Sequence, residues 1–209
     1  VTVTINSVND APSIDIASTL SAAENQTAVA TISKSDVDDD SLTLTMSGTD
    51  SSSFNLSTDD VLTFITAPDY ETKNSYALSF SLSDGTVTTT KDITVAVTNV
   101  NDVAPVITST ATFTSAENQT TVGSISATDI EGDALTYSIS GSDLQISNSG
   151  VISFISAPDY ETKSSYTAIV TVSDGVNSTT QTITVTITDI YEVIPGYSIP
   201  KNIKVIETE

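Results

Sequence analysis

The stretch YALSFSLSDGTVTTTKDITVAVTNV (76–100) alternates apolar and polar residues on both sides of an Asp-Gly pair. Alternation with a period of two is the pattern of a half-buried strand, and Asp-Gly is an ordinary hairpin signal. The same alternation appears in VTVTINSV (1–8) and SLTLTM (41–46), and again in ALTYSISG (134–141), YTAIVTVSDG (166–175) and ITVTITDI (183–190). Turns rich in Gly, Asp, Asn and Ser separate these runs, and none of them carries a helical period. The chain is therefore expected to be all-β, folded as antiparallel sandwiches of about seven strands with Greek-key connections.

Two copies of such a unit are written in the chain. SAAENQT (21–27), APDYETK (67–73) and SDG (83–85) return as SAENQT (115–120), APDYETK (157–163) and SDG (173–175). Glu24 to Glu117 and Asp36 to Asp129 are 93 positions apart, whereas Asp69 to Asp159 and Asp84 to Asp174 are 90. Three residues are thus missing from the second copy between Gly141 and Phe154, as expected of a surface turn. VNDVAP (100–105) joins the copies and VNDAP (8–12) precedes the first. Pro12, Pro105 and Pro195 each precede a glutamate by 12 residues, so the tail has the pattern of another opening strand. The expected division is residues 1–9 as the closing strand of a preceding repeat, 10–101 and 102–193 as two full repeats, and 194–209 as the opening strand of a following one. Either the chain is cut from a longer array or its end strands complete neighbouring molecules, and the residues leave both readings open.

Six Lys+Arg stand against 27 Asp+Glu, a net charge of −21 that repels nucleic acid and anionic membrane and attracts cations. A hydrophobic fraction of 38%, placed in alternating β-branched runs, separates this acidic chain from a disordered one. With Cys 0 and His 0 there is no thiolate or imidazole for zinc, copper, haem or iron–sulfur sites, and no Ser-His-Asp or Cys-His nucleophile.

Oxygen ligands are what remains, and calcium takes six to eight of them from carboxylates, carbonyls and water. AEN, PDYE, DVDDD (36–40), DIEGD (129–133), SDG and the Asn-Asp linkers all fall between the strand patterns. Glu24, Asp69-Tyr-Glu71, Asn99-Val-Asn-Asp-Val-Ala-Pro105, Asp129-Ile-Glu131 and Asp174-Gly175, in that order, resemble the motifs of the extracellular cadherin repeat. The wording of VNDAP and DIEGDALTYSISG is nearer to the cadherin-like repeats of large bacterial surface adhesins. The resemblance spans nearly the whole chain. It implies two cadherin-like, immunoglobulin-like sandwiches joined end to end by a calcium-binding linker.

Carried over by position, it also implies roughly two to three Ca2+ ions at the junction of the repeats. Glu24, Asp69 and Glu71 would come from the first repeat, and Asn99, the Val100 carbonyl and Asp102 from the linker. Asn101, the Val103 carbonyl, Asp129, Glu131, the Asp133 carbonyl and Asp174 would complete the set. Two positions depart from the family: Asn99 stands where Asp is preferred, and Glu131 replaces a shorter bridging Asp. Half-sites follow at either end, Asn9, Asp10, Asp36, Asp38 and Asp84 at one, Glu117, Asp159, Glu161, Asp189 and Glu192 at the other.

Competing readings are weaker. Tyr70, Tyr76, Tyr160 and Tyr166 alternate with strand neighbours and are expected in the core or at its edge rather than as a sugar platform. Asp69 and Glu71 could pair for glycoside hydrolysis, but their duplication in identical sequence fits ligands, not an enzyme. The expectation is a calcium-rigidified adhesive segment of an extracellular, bacterial surface protein or fibre. A filament subunit joined by strand complementation is the alternative, and a carbohydrate-binding module the third. Partners would be adjacent repeats or identical subunits end to end, with a surface protein or glycan beyond them. Neither nucleic acid nor direct membrane insertion is expected.

Overall fold

The structure, a computed structural model, describes residues 8–191. Most of the expected closing strand at 1–9, the expected opening strand at 194–209, and Glu192 lie outside the described residues. The chain divides into two compact units, Val1–Asp102 and Val103–Glu209.

Unit 1 is built of β1 (Ser13–Asp15), β2 (Thr19–Ala23), β3 (Ala28–Thr31), β4 (Ser33–Ser35), β5 (Thr43–Ser47), β6 (Phe54–Leu56), β7 (Val61–Phe64), β8 (Ser75–Ser83) and β9 (Thr88–Thr98). They form a four-stranded sheet, β2-β9-β8-β5, a three-stranded sheet, β3-β7-β6, and the pair β1-β4. The long hairpin β8–β9 is antiparallel, with Ser83 opposite Thr88, whereas β2 runs parallel to β9, Thr19 to Ala23 against Thr94 to Thr98. About seven runs were expected, and nine strand segments form among the described residues of this unit. Two runs divide: the opening run leaves β1, paired with β4, and crosses to the other sheet at Ile16–Ser18 to form β2, and the next run is interrupted at Ile32 into β3 and β4.

Alternation translates into burial. Along β8 and β9, Tyr76, Leu78, Phe80, Leu82, Ile93, Val95 and Val97 are buried while their neighbours face outward. They meet Phe54, Leu62 and Phe64 of the three-stranded sheet, so the two sheets pack face to face. Tyr76 stands edge-on to both Phe64 and Phe54, with ring centroids 5.1 and 5.5 Å away. Each of these side chains contributes roughly 1.5–3 kcal/mol by leaving water.

Unit 2 repeats the plan with β10 (Val106–Ile107), β11 (Thr112–Ala116), β12 (Thr121–Ser124), β13 (Ala127–Thr128), β14 (Thr136–Ile139), β15 (Leu144–Ile146), β16 (Val151–Phe154), β17 (Ser165–Ser173) and β18 (Ser178–Thr188). Its sheets are β11-β18-β17-β14, β12-β16-β15 and β10-β13. The three extra residues of the first copy are Ser51–Ser53, a single 3₁₀ turn between Asp50 and Phe54; in the second copy Asp143 runs directly into Leu144.

The duplicated APDYETK segment has a structural duty in both units. Lys73 lies over the Tyr76 ring, 4.6 Å from its centroid, and pairs with Asp50; Lys163 lies 4.1 Å over Tyr166 and is 2.8 Å from Asp143. The tyrosines divide accordingly. Tyr76 is buried, Tyr70 and Tyr166 pack against their cores, and Tyr160 is exposed.

Candidate metal centres

A glutamate that follows β2 is almost wholly buried. Glu24 is 2% exposed, and its equivalent after β11, Glu117, is 1% exposed. Buried carboxylates need partners, and these find them in the backbone. Glu24 Oε1 accepts from the Val100 amide at 2.7 Å and Oε2 from the Tyr70 amide at 2.8 Å. Glu117 repeats this with Ile190 at 2.7 Å and Tyr160 at 3.0 Å. One carboxylate thereby fixes both the PDYE loop and the exit of the closing strand. Two amides occupy about two of the roughly four lone-pair positions of a carboxylate, and the rest are available to a cation.

Other acids gather round it. Oxygens of Glu24, Glu71 and Asp102 lie within 4.8 Å of one another in unit 1, as do those of Glu117, Glu161 and Asp189 in unit 2. Two unit charges at such a distance repel by about 1 kcal/mol in water and about 3–4 kcal/mol at an effective dielectric constant of 20. Glu161 records the crowding. A backbone N–H is the largest influence on it and lowers its pKa, but partial desolvation and the charges of Glu117, Asp189 and Asp159 together hold it above its ordinary value.

The third acid differs between units. Asp189 occupies the position of Asn99, which has no carboxylate to offer, and in unit 1 Asp102, three residues on, takes that place. Asn25 donates through Nδ2 to Asp102 and stands in the left-handed region, φ 61°, as does Asn118 at 60°. Sequence reading left Asn25 out, although its recurrence after the buried glutamate in both copies was the available signal.

Asp69 and Asp159 are not members of these clusters. Each carboxylate turns to its own loop, Asp69 accepting the Thr72 hydroxyl at 2.9 Å and amide at 3.1 Å, Asp159 those of Thr162 at 2.9 and 3.2 Å. These bonds, the hydroxyl first, hold both carboxyls below the usual range.

At the other end of each unit a loop supplies three acids by itself. Asp36, Asp38 and Asp40 converge within 4.8 Å, and so do Asp129, Glu131 and Asp133. Backbone amides turn the loop inward: Asp38 donates to Asp36 Oδ1 at 2.8 Å, and Glu131 and Asp133 to Asp129 Oδ1 at 3.0 and 3.3 Å. The second oxygens, Asp36 Oδ2 and Asp129 Oδ2, are buried with no hydrogen-bond partner. Buried carboxylate oxygens without a donor suit a cation. Asp40 was absent from the sequence-based ligand set, and Asp133 joins through its carboxylate where its carbonyl was expected.

The linkers meet the same loops. The Asp10 amide donates to Asp38 Oδ2 at 2.7 Å and the Val103 amide to Glu131 Oε2 at 2.9 Å. Asn9 Nδ2 reaches Asp84 Oδ2 at 2.9 Å. Asp84 and Asp174 are buried in the turns of their hairpins, directly after β8 and β17, and the Oδ1 of each accepts from two turn amides, at 2.6 Å from Thr86 and Val87 and at 2.7 and 2.6 Å from Val176 and Asn177. Asn9, first among these partners, draws Asp84 below its ordinary pKa. Every one of these clusters is oxygen alone, the donor set of a hard divalent ion of calcium type.

The matches with known proteins agree with this architecture. A family profile described as Bacterial Ig domain matches residues 101–188. Chitinase A of Pseudoalteromonas piscicida is 32% identical over 182 residues, which cover 87% of this chain and 22% of that protein. Protocadherin-15 of Mus musculus is 35% identical over 94 residues, 41% of this chain and 5% of the relative. The chain therefore spans about a fifth or less of these relatives. Among solved structures, human protocadherin-24 EC1-2 superposes with a TM-score of 0.73 at 23% identity, covering 88% of this chain and all of that one. Mouse cadherin-23 EC22-24 gives 0.74 at 18% identity, covering 88% and 68%. The chain is thus built from repeats of the cadherin fold, and its residues 101–188 match the bacterial Ig domain profile.

Proposed function

We propose that this chain is a calcium-stiffened segment of an extracellular adhesive or structural protein, with no catalytic role. The observation that carries the reading is the pair of buried carboxylate oxygens, Asp36 Oδ2 and Asp129 Oδ2, without a hydrogen-bond donor inside three-acid loops. Glu24, Glu71 and Asp102 before the join, and Asp129, Glu131, Asp133 and Asp174 after it, are the ligands we assign to the junction ions. Asn99, Asn101 and the carbonyls of Val100 and Val103 complete that assignment, whereas Asp69, whose carboxylate is held by Thr72, stands outside it. Without the ion, like charges repel and the residues around Asn101 act as a hinge; with it, ligands on both sides of the join are held together. Calcium bound only by the folded chain also adds its binding free energy to stability.

Melting curves and small-angle scattering with saturating calcium and after chelation test this. A higher melting temperature and a narrower distribution of dimensions with calcium are expected. Curves that coincide in the two conditions would sink the reading.

The alignment with Chitinase A over most of this chain favours a second reading, an accessory segment of a secreted polysaccharide-processing protein. Retention of the chain on insoluble chitin, measured by pull-down, separates it from a pure spacer, which stays in the supernatant.

A further inference from the structure

We infer that two copies of this chain pack side by side through the outer face of the four-stranded sheet of unit 2, with Ile169 at the centre of the contact. This goes beyond the calcium reading, which concerns the loops at the ends of each unit.

The strands of that sheet, β11, β14, β17 and β18, are 5, 4, 9 and 11 residues long and contain no Asp, Glu, Lys or Arg. The chain nevertheless carries −21. Every described charged residue of unit 2 lies in a loop. Alternation sends Ala168, Val170 and Ile183 into the core and turns Thr167, Ile169, Thr180 and Thr182 outward. Ile169 is the midpoint of β17, stands opposite Thr182 of β18 and is 48% exposed.

Unit 1 holds a different pair at the same place, Ser79 of β8 opposite Asp92 of β9. The two faces thus differ at their centre by one charge and one aliphatic side chain. Copies of a chain this acidic repel one another, so a second copy can settle only where no like charges are brought together. A basic partner would be drawn to the acidic loops instead. A two-fold rotation about Ile169 sets that side chain against its own equivalent with threonine methyls around it, the arrangement of an isologous interface. The same rotation on unit 1 would bring two Asp92 carboxylates together.

Size favours this face over the other sheet of unit 2. With strands about 4.8 Å apart and a rise of about 3.4 Å per residue, the four strands cover roughly 470 Å². A pair of such faces buries roughly 900–1,000 Å², the lower edge of specific contacts, so the dimer is a weak one. The strands β12, β15 and β16 are also uncharged, but at 4, 3 and 4 residues they cover only roughly 180 Å².

The test is sedimentation equilibrium of the whole chain, with calcium saturating, from micromolar to millimolar protein. It is run at about 0.01 M and about 0.1 M NaCl, where the screening length falls from about 30 to about 10 Å. A monomer–dimer equilibrium that tightens with salt is expected, because screening weakens repulsion between acidic loops and leaves an uncharged contact intact. In I169S/T182D, which installs the pair that unit 1 holds on the equivalent strands, dimerisation should weaken by about tenfold or more, since each copy loses the contact. T182D alone, at an exposed position, repeats the test should the double variant melt lower. A chain that stays monomeric at millimolar concentration in both salts overturns the inference. So does a dimer that loosens with salt or survives these variants, since either places the contact on another surface. Calcium-dependent melting of the same samples is scored separately, so failure of one idea leaves the other standing.

Discussion

Repeat 1 holds Leu20 and Ala30 where repeat 2 holds Phe113 and Gly123, and repeat 1 holds Lys34 and Asp60 where repeat 2 holds Ala127 and Gly150. In the first exchange volume moves across a contact. A Cβ on Gly123 would stand 2.8 Å from the Phe113 ring, so the larger aromatic requires the missing methyl. In the second a charge pair replaces a backbone exemption. Asp60 sits at φ 60°, bonded by Lys34 at 2.8 Å, and its carbonyl accepts from Ile32; Gly150 takes φ 80° with no side chain to place, and its carbonyl accepts from Ile125. The two repeats thus share a backbone while differing in the local means that keep it, and exchanging those means tests the equivalence.

The strongest way to break it is G150A. The new Cβ would lie 2.4 Å from the Ile125 carbonyl oxygen in a left-handed residue, and repeat 2 should lose about 3 kcal/mol or more by hydrogen exchange of its β16 and β17 amides. Next come E24A and E117A. Each strands two loop amides, and about 2–3 kcal/mol should vanish from the repeat that carries the change, together with its response to calcium, in denaturant titrations with and without the ion.

G123A should cost about 1–3 kcal/mol by overpacking. F113L, which installs the repeat 1 residue, should recover most of that loss in the double variant, and additive losses in a double-mutant cycle would deny the coupling. The smallest effect is electrostatic. The Lys73 ammonium, then the Ala77 amide, hold the Asp50 carboxyl below its ordinary 3.8. A lowered folded-state pKa means stability that is complete above about pH 4 and is lost as pH falls below it. D50N should therefore flatten the acid limb of the melting temperature of repeat 1. K34A, removing a partly buried pair whose side chains are 26% and 18% exposed, should cost about 1 kcal/mol.

Strand identity was legible because one face of each strand is buried: 76–83 and 93–98 alternate in burial as they alternate in sequence. The tandem copies were legible for the same reason the turns were, since Pro, Gly and Asp occupy positions that only a few residues serve. Strand partners were not. That Thr19 lies beside Thr94 in parallel depends on residues far apart in sequence, and the break at Ile16–Ser18 reflects a transfer between sheets that no local pattern marks. At the acid clusters, residue type identified Glu24, Glu71, Asp102, Asp36 and Asp129 as acids at loop positions. Side-chain direction was hidden: a threonine three residues on captures the carboxylate of Asp69, while Asp40, which the 93-residue offset pairs with Asp133, turns its carboxylate in beside Asp36.

The parallel pairing of β2 with β9 and of β11 with β18 has a mechanical consequence. A tether entering a repeat through its opening strand and leaving through its closing strand draws these two neighbours in opposite directions along their length. Five residue pairs in each repeat are then sheared together, instead of opening one at a time as a hairpin does when its arms are parted. Optical-trap extension of this chain from its two ends should accordingly show higher rupture forces than extension applied across the arms of β8 and β9.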